Sequence, residues 1–418
     1  MKERRRKGYE QREADRKLRR EQEMRAMSRK DRKEAGRRDK RKAKEKRERN
    51  KEFARVTYFF VALFLVMMGY IVYFQVVQSR DIIRSSYNAR QDSYADRVVR
   101  GDIVDRNGNV LAHSEVQADG SEVREYPYGS LFAHVVGYSD QGKAGLESEM
   151  TSNAFFLEKL RNEFQDQKNT GDTVVTTLDV ELQQAASDAL GGNKGAVVVM
   201  EPDTGKILAM VSKPDFDPGA VSANWEALNS DPDSALLNRA PQGQYAPGSA
   251  FKLVTALEYM RENPSYDSYS YTCTGAIEQD GTTIRCYNGH VHGTVNFRDS
   301  LAYSCNASFC NIGLSLDISS FRNTAEDLLF NSSLPSVLPY SKSSFALDES
   351  GSTADRMMTA MGQGETQVSP YHMALITSAI ANGGVLMEPY LVDSVTNYTG
   401  TEIDKNTPEE FQTLMTSQ

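Results

Sequence analysis

Cysteine is scarce in this 418-residue chain, with four residues in all. That is too few for a disulfide-dense scaffold, and a chain of this length can bury a sizeable core without one. No internal repeat of 20–50 residues recurs, which excludes a solenoid or propeller. One long, almost wholly apolar run stands out, the 19 residues Val56–Phe74, and it carries no charge. Residues 1–55 have almost no large aliphatics, so they cannot bury a core and read as disordered or as a solvated, charge-laced helix. Their basic residues have no aromatic interleaving, so nothing points to nucleic acid. An orientation signal with a solvated tail is the leading reading, and attraction to anionic lipid comes second.

Charge of either sign is unevenly supplied. The formal net charge of −8 combines a segment 1–55 with 26 Lys/Arg against 12 Asp/Glu, net +14, and a remainder with 23 against 45, net −22. A single soluble acidic globule is therefore excluded. The apolar run at the charge boundary is long enough to cross a bilayer core. No polar face interrupts it as in a core helix, and Gln75–Arg80 holds no small-x-small cleavage site as a signal peptide would. The expectation is a single-pass anchor in the cell membrane, with the basic tail cytoplasmic by the positive-inside rule and the rest extracellular. The chain then divides into a tail (1–55), a transmembrane helix (56–78), a β-rich pedestal (79–172) and a mixed α and β domain (173–418).

Turn signals organise the last two zones. Asp105-Arg106-Asn107-Gly108 between Ile103-Val104 and Val110-Leu111 predicts a hairpin. Ala133–Tyr138 reads as a short strand, as does Val174–Thr177. Asp179 caps a helix to Leu190 that Gly191-Gly192 stops. Gly195–Met200 and Lys206–Ser212 form a second, antiparallel hairpin across Glu201–Gly205.

Chemistry concentrates in two places. In Ala246-Pro247-Gly248-Ser249-Ala250-Phe251-Lys252, Pro-Gly breaks the chain, and Leu253, Val254, Leu257 and Met260 then recur at helical spacing. Ser249 and Lys252, three apart, share a helix face. A serine hydroxyl needs an adjacent base to act as a nucleophile, and a lysine whose pKa is lowered by burial serves. A helix N-terminus also offers N–H groups to a developing oxyanion. Alone, S-x-x-K is weak. Fifty-five residues on, Ser304-Cys305-Asn306 precedes Phe309, Ile312 and Leu316; a second hydroxyl can relay a proton, and an amide can bind a peptide backbone.

In order along the chain, these motifs resemble a class B penicillin-binding protein, a membrane-anchored serine acyl-transferase whose superfamily carries S-x-x-K and S-x-N. Arg100–Ile103 with Asp105–Gly108 is similar to the family's R-G-x-I-x-D-R-N-G. Gly145-Leu146-Glu147 is similar to its G-L-E, and Lys194–Ser212 to the strand pair opening the transpeptidase domain. Gly362-Gln363-Gly364-Glu365 resembles the G-Q-G segment before a late helix, here started by Ser369-Pro370 and stopped by Asn382-Gly383-Gly384.

The resemblance implies an α+β fold, with a transmembrane helix, a small β-rich pedestal and a transpeptidase domain of antiparallel sheet flanked by helices. It implies D,D-transpeptidation, cross-linking peptidoglycan stem peptides through an acyl-enzyme in cell-wall synthesis, with β-lactams as substrate mimics. Ser249 would be the nucleophile, Lys252 the general base, Ser304 the relay and Asn306 a positioning group. Asn306, Gly362, Gln363 and Gly364 would meet substrate. No cofactor or metal is implied. With no room for a glycosyltransferase domain, the partner would be a multi-span glycan polymerase. The rivals are a D,D-carboxypeptidase or β-lactam sensor, and a non-enzymatic scaffold subunit of the wall machinery. The superfamily's third motif, K-[ST]-G, is missing. After Ser304 the only lysines, Lys342 and Lys405, precede Ser343-Ser344 and Asn406-Thr407, and Tyr398-Thr399-Gly400 lacks the cation. The expectation is therefore a C-terminally truncated, incomplete transpeptidase domain with impaired activity.

Cys273 and Cys286 pair as a disulfide if their hairpin turns at Gln279-Asp280, and are offset if it turns at Asp280-Gly281. A zinc site with His290 and His292 has no usual ligand spacing and is set aside. His290 is assigned to support of the loop before Ser304, and Cys305 to packing.

Overall fold

The structure, a computed structural model, describes residues 14–19, 21–22, 29–74, 98–150, 169–397 and 399–416. The assignments for 75–97 and 151–168, including the last turn of the expected anchor and the start of the pedestal, lie outside the described residues. The chain forms two units, 1–82 and 83–418.

In the first unit, helix α1 (Arg29–Tyr73) runs unbroken from the charged segment into the apolar one. The tail is thus a charge-laced helix over residues 29–55. Phe53–Tyr73 is 21 residues long with mean hydropathy 2.1 and no burial, so by length and composition it can cross a bilayer.

In the second unit, after a short strand Val98–Val99 paired parallel with Asn169–Thr170, come β1 (Ile103–Val104) and β2 (Val110–Val116), paired antiparallel as the D-R-N-G turn predicts, and then β3 (Glu122–Glu125). The turn is held from inside. Fully buried Asp105 accepts from the backbone N–H of Asn107 and Asn109 (both 2.8 Å) and of Val180 (3.2 Å). From β3, the Arg124 guanidinium donates to the Glu147 carboxylate at 2.7 Å and to the carbonyl of Gly101 at 2.8 Å. The arginine thus ties R-G-x-I to G-L-E.

Ala133–Tyr138 is not a strand. The N–H groups of Val135 and Val136 both donate to the Phe132 carbonyl, winding the segment into turns. A short apolar run signals burial, which Val135 and Val136 have, but it does not distinguish a strand from a buried turn.

β4 (Thr173–Thr176) leads to α2 (Val180–Leu190), capped by Asp179, whose carboxylate accepts from Glu181 and Leu182 N–H. The hairpin β5 (Gly195–Met200) and β6 (Ile207–Lys213) follows, antiparallel as expected. Further on come α3 (Lys252–Glu262), β7 (Ser270–Cys273), β8 (Ala276–Gln279), β9 (Thr282–Arg285), β10 (Gly293–Asn296) and α4 (Asn306–Ser315). Then come α5 (Ile318–Asp327), α6 (Thr353–Ala360), α7 (Pro370–Ala381, capped by Ser369), β11 (Val392–Thr396) and β12 (Glu402–Lys405).

One sheet has the order β12-β11-β4-β1-β2-β3. It joins the pedestal strands β1–β3 to β4, β11 and β12 from beyond residue 172. Thr399-Gly400 occupies the polar turn between β11 and β12. α2 and α7 pack on the β5–β6 hairpin. Phe251, Phe321, Phe330 and Phe345 form the aromatic centre of the main core, with Phe251 fully buried.

Candidate active site

Gly248–Phe251 is a single 3-10 turn that runs directly into α3 at Lys252. Phe251 drives it into the aromatic core, its ring 5.6–6.1 Å from those of Phe321, Phe330 and Phe345. That anchor holds Ser249 at the mouth of the turn and carries Lys252 inside, where its side chain is fully buried.

The second hydroxyl comes from a strained reversal. Ser304 holds φ +50°, a region that non-glycine residues visit rarely. The N–H of Ser304 donates to the Leu301 carbonyl and that of Cys305 to Ser300, and the Cys305 sulfur caps α4 by accepting from Ser308 N–H. Asn306 is the first residue of α4, and its Nδ2 donates to the Arg285 carbonyl at 3.0 Å. That bond orients the amide, so Oδ1 is the atom that faces Lys252.

The four side chains converge. Lys252 Nζ lies 2.7 Å from Asn306 Oδ1, 2.8 Å from the Ser304 carbonyl, 2.9 Å from Ser304 Oγ and 3.3 Å from Ser249 Oγ. Ser304 Oγ is also 2.9 Å from Ser249 Oγ. Two of the amine's neighbours, the carbonyl oxygens, can only accept. A neutral amine therefore spends its two N–H groups on them and presents its lone pair to the hydroxyls, as a base must. Burial, over the face of Phe309 5.5 Å away, lowers the Lys252 pKa to about 8 and favours that neutral form.

Gly362–Gly364 abuts the serine turn. Gly248 N–H donates to the Gly362 carbonyl at 2.7 Å, and Thr255 of α3 donates to the Ala360 carbonyl at 2.8 Å. Gly362 has φ +78°, and a Cβ there would lie 1.8 Å from the Gly248 carbonyl oxygen. Gly364 is also at positive φ, and Gln363 N–H closes the turn onto the Met358 carbonyl. The near approach of the two turns requires glycine at 362.

Cys273 and Cys286 are free thiols with their sulfurs 3.7 Å apart, not a disulfide. The β8–β9 hairpin pairs Gln279 with Thr282 and so turns at Asp280-Gly281, the offset alternative. Cys273 lies on β7, which pairs with β10 instead. His290 is exposed, and it is His292 whose ring stacks on Tyr303 beside Ser304. Neither His292 nor Arg285 was legible as part of this site, because each arrives by strand pairing rather than by a local motif.

The penicillin-binding protein transpeptidase model matches residues 195–418. The chain belongs to the penicillin-binding protein family. A second model, the penicillin-binding protein A dimerisation domain, matches residues 100–174, and together they mark a class B member. The peptidoglycan D,D-transpeptidase PbpA of Mycolicibacterium smegmatis is 29% identical over 398 residues, covering 88% of this chain and 80% of that one. The ceftriaxone acyl-enzyme of penicillin-binding protein A from Mycobacterium tuberculosis superposes with a TM-score of 0.70, at 29% identity and covering 78% of each chain. A D,D-transpeptidase domain from Eggerthella lenta superposes at 0.66 with 33% identity, covering 77% of this chain and 78% of that one.

Proposed function

We propose that this chain is a serine D,D-transpeptidase that cross-links peptidoglycan stem peptides in cell-wall synthesis. The observation that carries the reading is the position of a buried Lys252 amine within 3.3 Å of both Ser249 Oγ and Ser304 Oγ. Ser249 Oγ attacks the carbonyl of the penultimate D-Ala of a stem peptide and passes its proton to Lys252. Ser304, 2.9 Å from both Ser249 Oγ and Lys252 Nζ, returns that proton to the departing D-Ala amine. The acyl group then rests on Ser249 until an amine of a neighbouring stem peptide takes it. Asn306 orients Lys252 and offers its amide to the substrate backbone, and Gly362–Gly364 shapes the wall beside Ser249. A β-lactam acylates the same oxygen. The basic tail lies in the cytoplasm and the catalytic unit outside, and a multi-span polymerase supplies the glycan.

A fluorescent penicillin tests the nucleophile. The full-length protein takes up one label per molecule at Ser249, and its Ser249→Ala variant takes up none. Incubation with a dimerisable stem peptide then tests the reaction: a cross-linked product supports transpeptidation, whereas release of D-Ala with no cross-link makes the chain a carboxypeptidase.

A further inference from the structure

One aromatic ring stands in the open beside the catalytic reversal. Tyr303, the residue before Ser304, is 57% exposed. His292 backs one face of the ring, with the two planes 6° from parallel and the centroids 6.1 Å apart, and the other face is left open. We infer that Tyr303, backed by His292 and flanked by Asp299, is the acceptor subsite: it holds the ammonium group of the incoming stem peptide beside the ester on Ser249. Such a subsite presupposes the transpeptidase reading and gives its second substrate a place.

The covalent neighbour of Tyr303 fixes where the ring sits. Ser304 Oγ lies 2.9 Å from Ser249 Oγ, so an acyl carbonyl formed on Ser249 opens beside residue 304. Other approaches are occupied: the Gly362–Gly364 turn abuts Gly248, and the Asn306 amide is tied between Lys252 and Arg285. Ser304 holds φ +50°, and the N–H of Cys305 returns to the Ser300 carbonyl, so the reversal that presents Ser304 sets the backbone of Tyr303 too. His292 is itself held, with Nδ1 3.5 Å from Cys273 Sγ and β10 beginning at the next residue.

Asp299 supplies the charge. The Tyr303 N–H donates to the Asp299 carbonyl at 2.9 Å, so the two residues lie one helical turn apart at the end of the short helix Phe297–Ala302. Side chains four apart on a helix are neighbours, with about 5–6 Å between their Cβ atoms. Among the described residues Asp299 has no ion pair and Tyr303 Oη no hydrogen bond. A carboxylate beside an exposed ring face suits an alkylammonium, because the ring quadrupole attracts a cation within about 6 Å of its centre and the carboxylate adds a full charge. A sugar ring would also stack on tyrosine, but it would draw nothing from the carboxylate.

The step that follows is acyl transfer to nitrogen. At neutral pH the acceptor amine arrives as the ammonium, and one of its protons goes to solvent as the amine leaves the ring for the acyl carbon. The nitrogen forms the new C–N bond as the bond from that carbon to Ser249 Oγ breaks, and a second proton passes through Ser304 Oγ to Ser249 Oγ. Water competes for the same ester, so occupancy of the subsite decides between cross-linking and hydrolysis.

The test uses the full-length protein, a donor peptide ending in D-Ala-D-Ala and, as acceptor, a stem peptide with a free side-chain amine. The measured quantity is the ratio of cross-linked to hydrolysed product, which is set after acylation and does not depend on its rate. In the wild type the ratio should rise with acceptor concentration and saturate. At low acceptor, Tyr303→Leu and Asp299→Asn should each lower it about three- to fivefold, whereas Tyr303→Phe, which keeps the ring face, should stay within about twofold of wild type. Fluorinating the phenylalanine ring at that position weakens its negative face and should lower the ratio with each fluorine added. An acceptor with trimethylammonium in place of its amine cannot be acylated; it should inhibit cross-linking in the wild type and lose potency in Tyr303→Leu. An unchanged ratio in Tyr303→Leu, or a fluorinated series that matches phenylalanine, overturns the subsite while cross-linking itself stands. A wild type that releases D-Ala from the donor and cross-links no acceptor overturns the transpeptidase reading, and the subsite with it.

Discussion

The pH dependence of acylation follows from one buried amine. Burial brings Lys252 from the ordinary 10.5 to about 8. At pH 7 the neutral fraction is then ~10%, against ~0.03% for an unperturbed lysine, an advantage of about 300-fold in competent base. The second-order rate of Ser249 acylation should rise about tenfold per pH unit below 8 and level off above it. The sign for stability runs with it. Because the folded-state pKa is depressed, the unfolded chain binds the extra proton between pH 8 and 10.5, so this group adds stability as pH rises through that window. The full effect is on the order of 3 kcal/mol. The assay is a time course of fluorescent-penicillin labelling from pH 5.5 to 9.5, with Lys252→Arg as the companion variant. Arginine stays charged at every accessible pH, so labelling should fall at least ~100-fold. A flat profile, a rate still climbing tenfold per unit at pH 9.5, or a Lys252→Arg enzyme that keeps more than a tenth of its rate would refute Lys252 as a base with this pKa.

Gly362→Ala should fold but label slowly, because its Cβ can be accommodated only by pushing the Gly248 carbonyl, and with it Ser249, away from Lys252; a thermal melt within a few degrees of wild type alongside a labelling rate down at least tenfold is the expected pair of readings. Arg124→Ala breaks the buried ion pair with Glu147 and should cost about 3–5 kcal/mol in a denaturant melt, whereas a cost below about 1 kcal/mol would show that the pair is not what joins G-L-E to the pedestal strands.

Where the information is local, the sequence was enough. Ser249 and Lys252 share a turn, so three-residue spacing alone places amine beside hydroxyl. The capped helix at Asp179, the two hairpins and the helix from Ser369-Pro370 follow from turn and cap chemistry acting over four or five residues. The membrane-length run is equally readable, since crossing a bilayer demands only length and apolarity.

What tertiary structure alone decided are the meetings between distant segments. Ser304 and Asn306 reach Lys252 because α4 packs on α3, and Phe309 of α4 lies beneath the amine. The burial that shifts the lysine's pKa exists only once that packing is complete. The β8–β9 register, set by the turn at Asp280-Gly281, overruled the facing-cysteine disulfide. Strand pairing of β7 with β10 then carried Cys273 to His292, an approach that no linear ligand spacing encodes. The six-stranded sheet likewise draws strands from both sides of residue 172. Backbone hydrogen bonding between strands depends on register and edge, not on composition. Composition and spacing thus determine which residues have the right chemistry, and the fold determines which of them meet, because contacts across tens of residues depend on how helices and strands pack together.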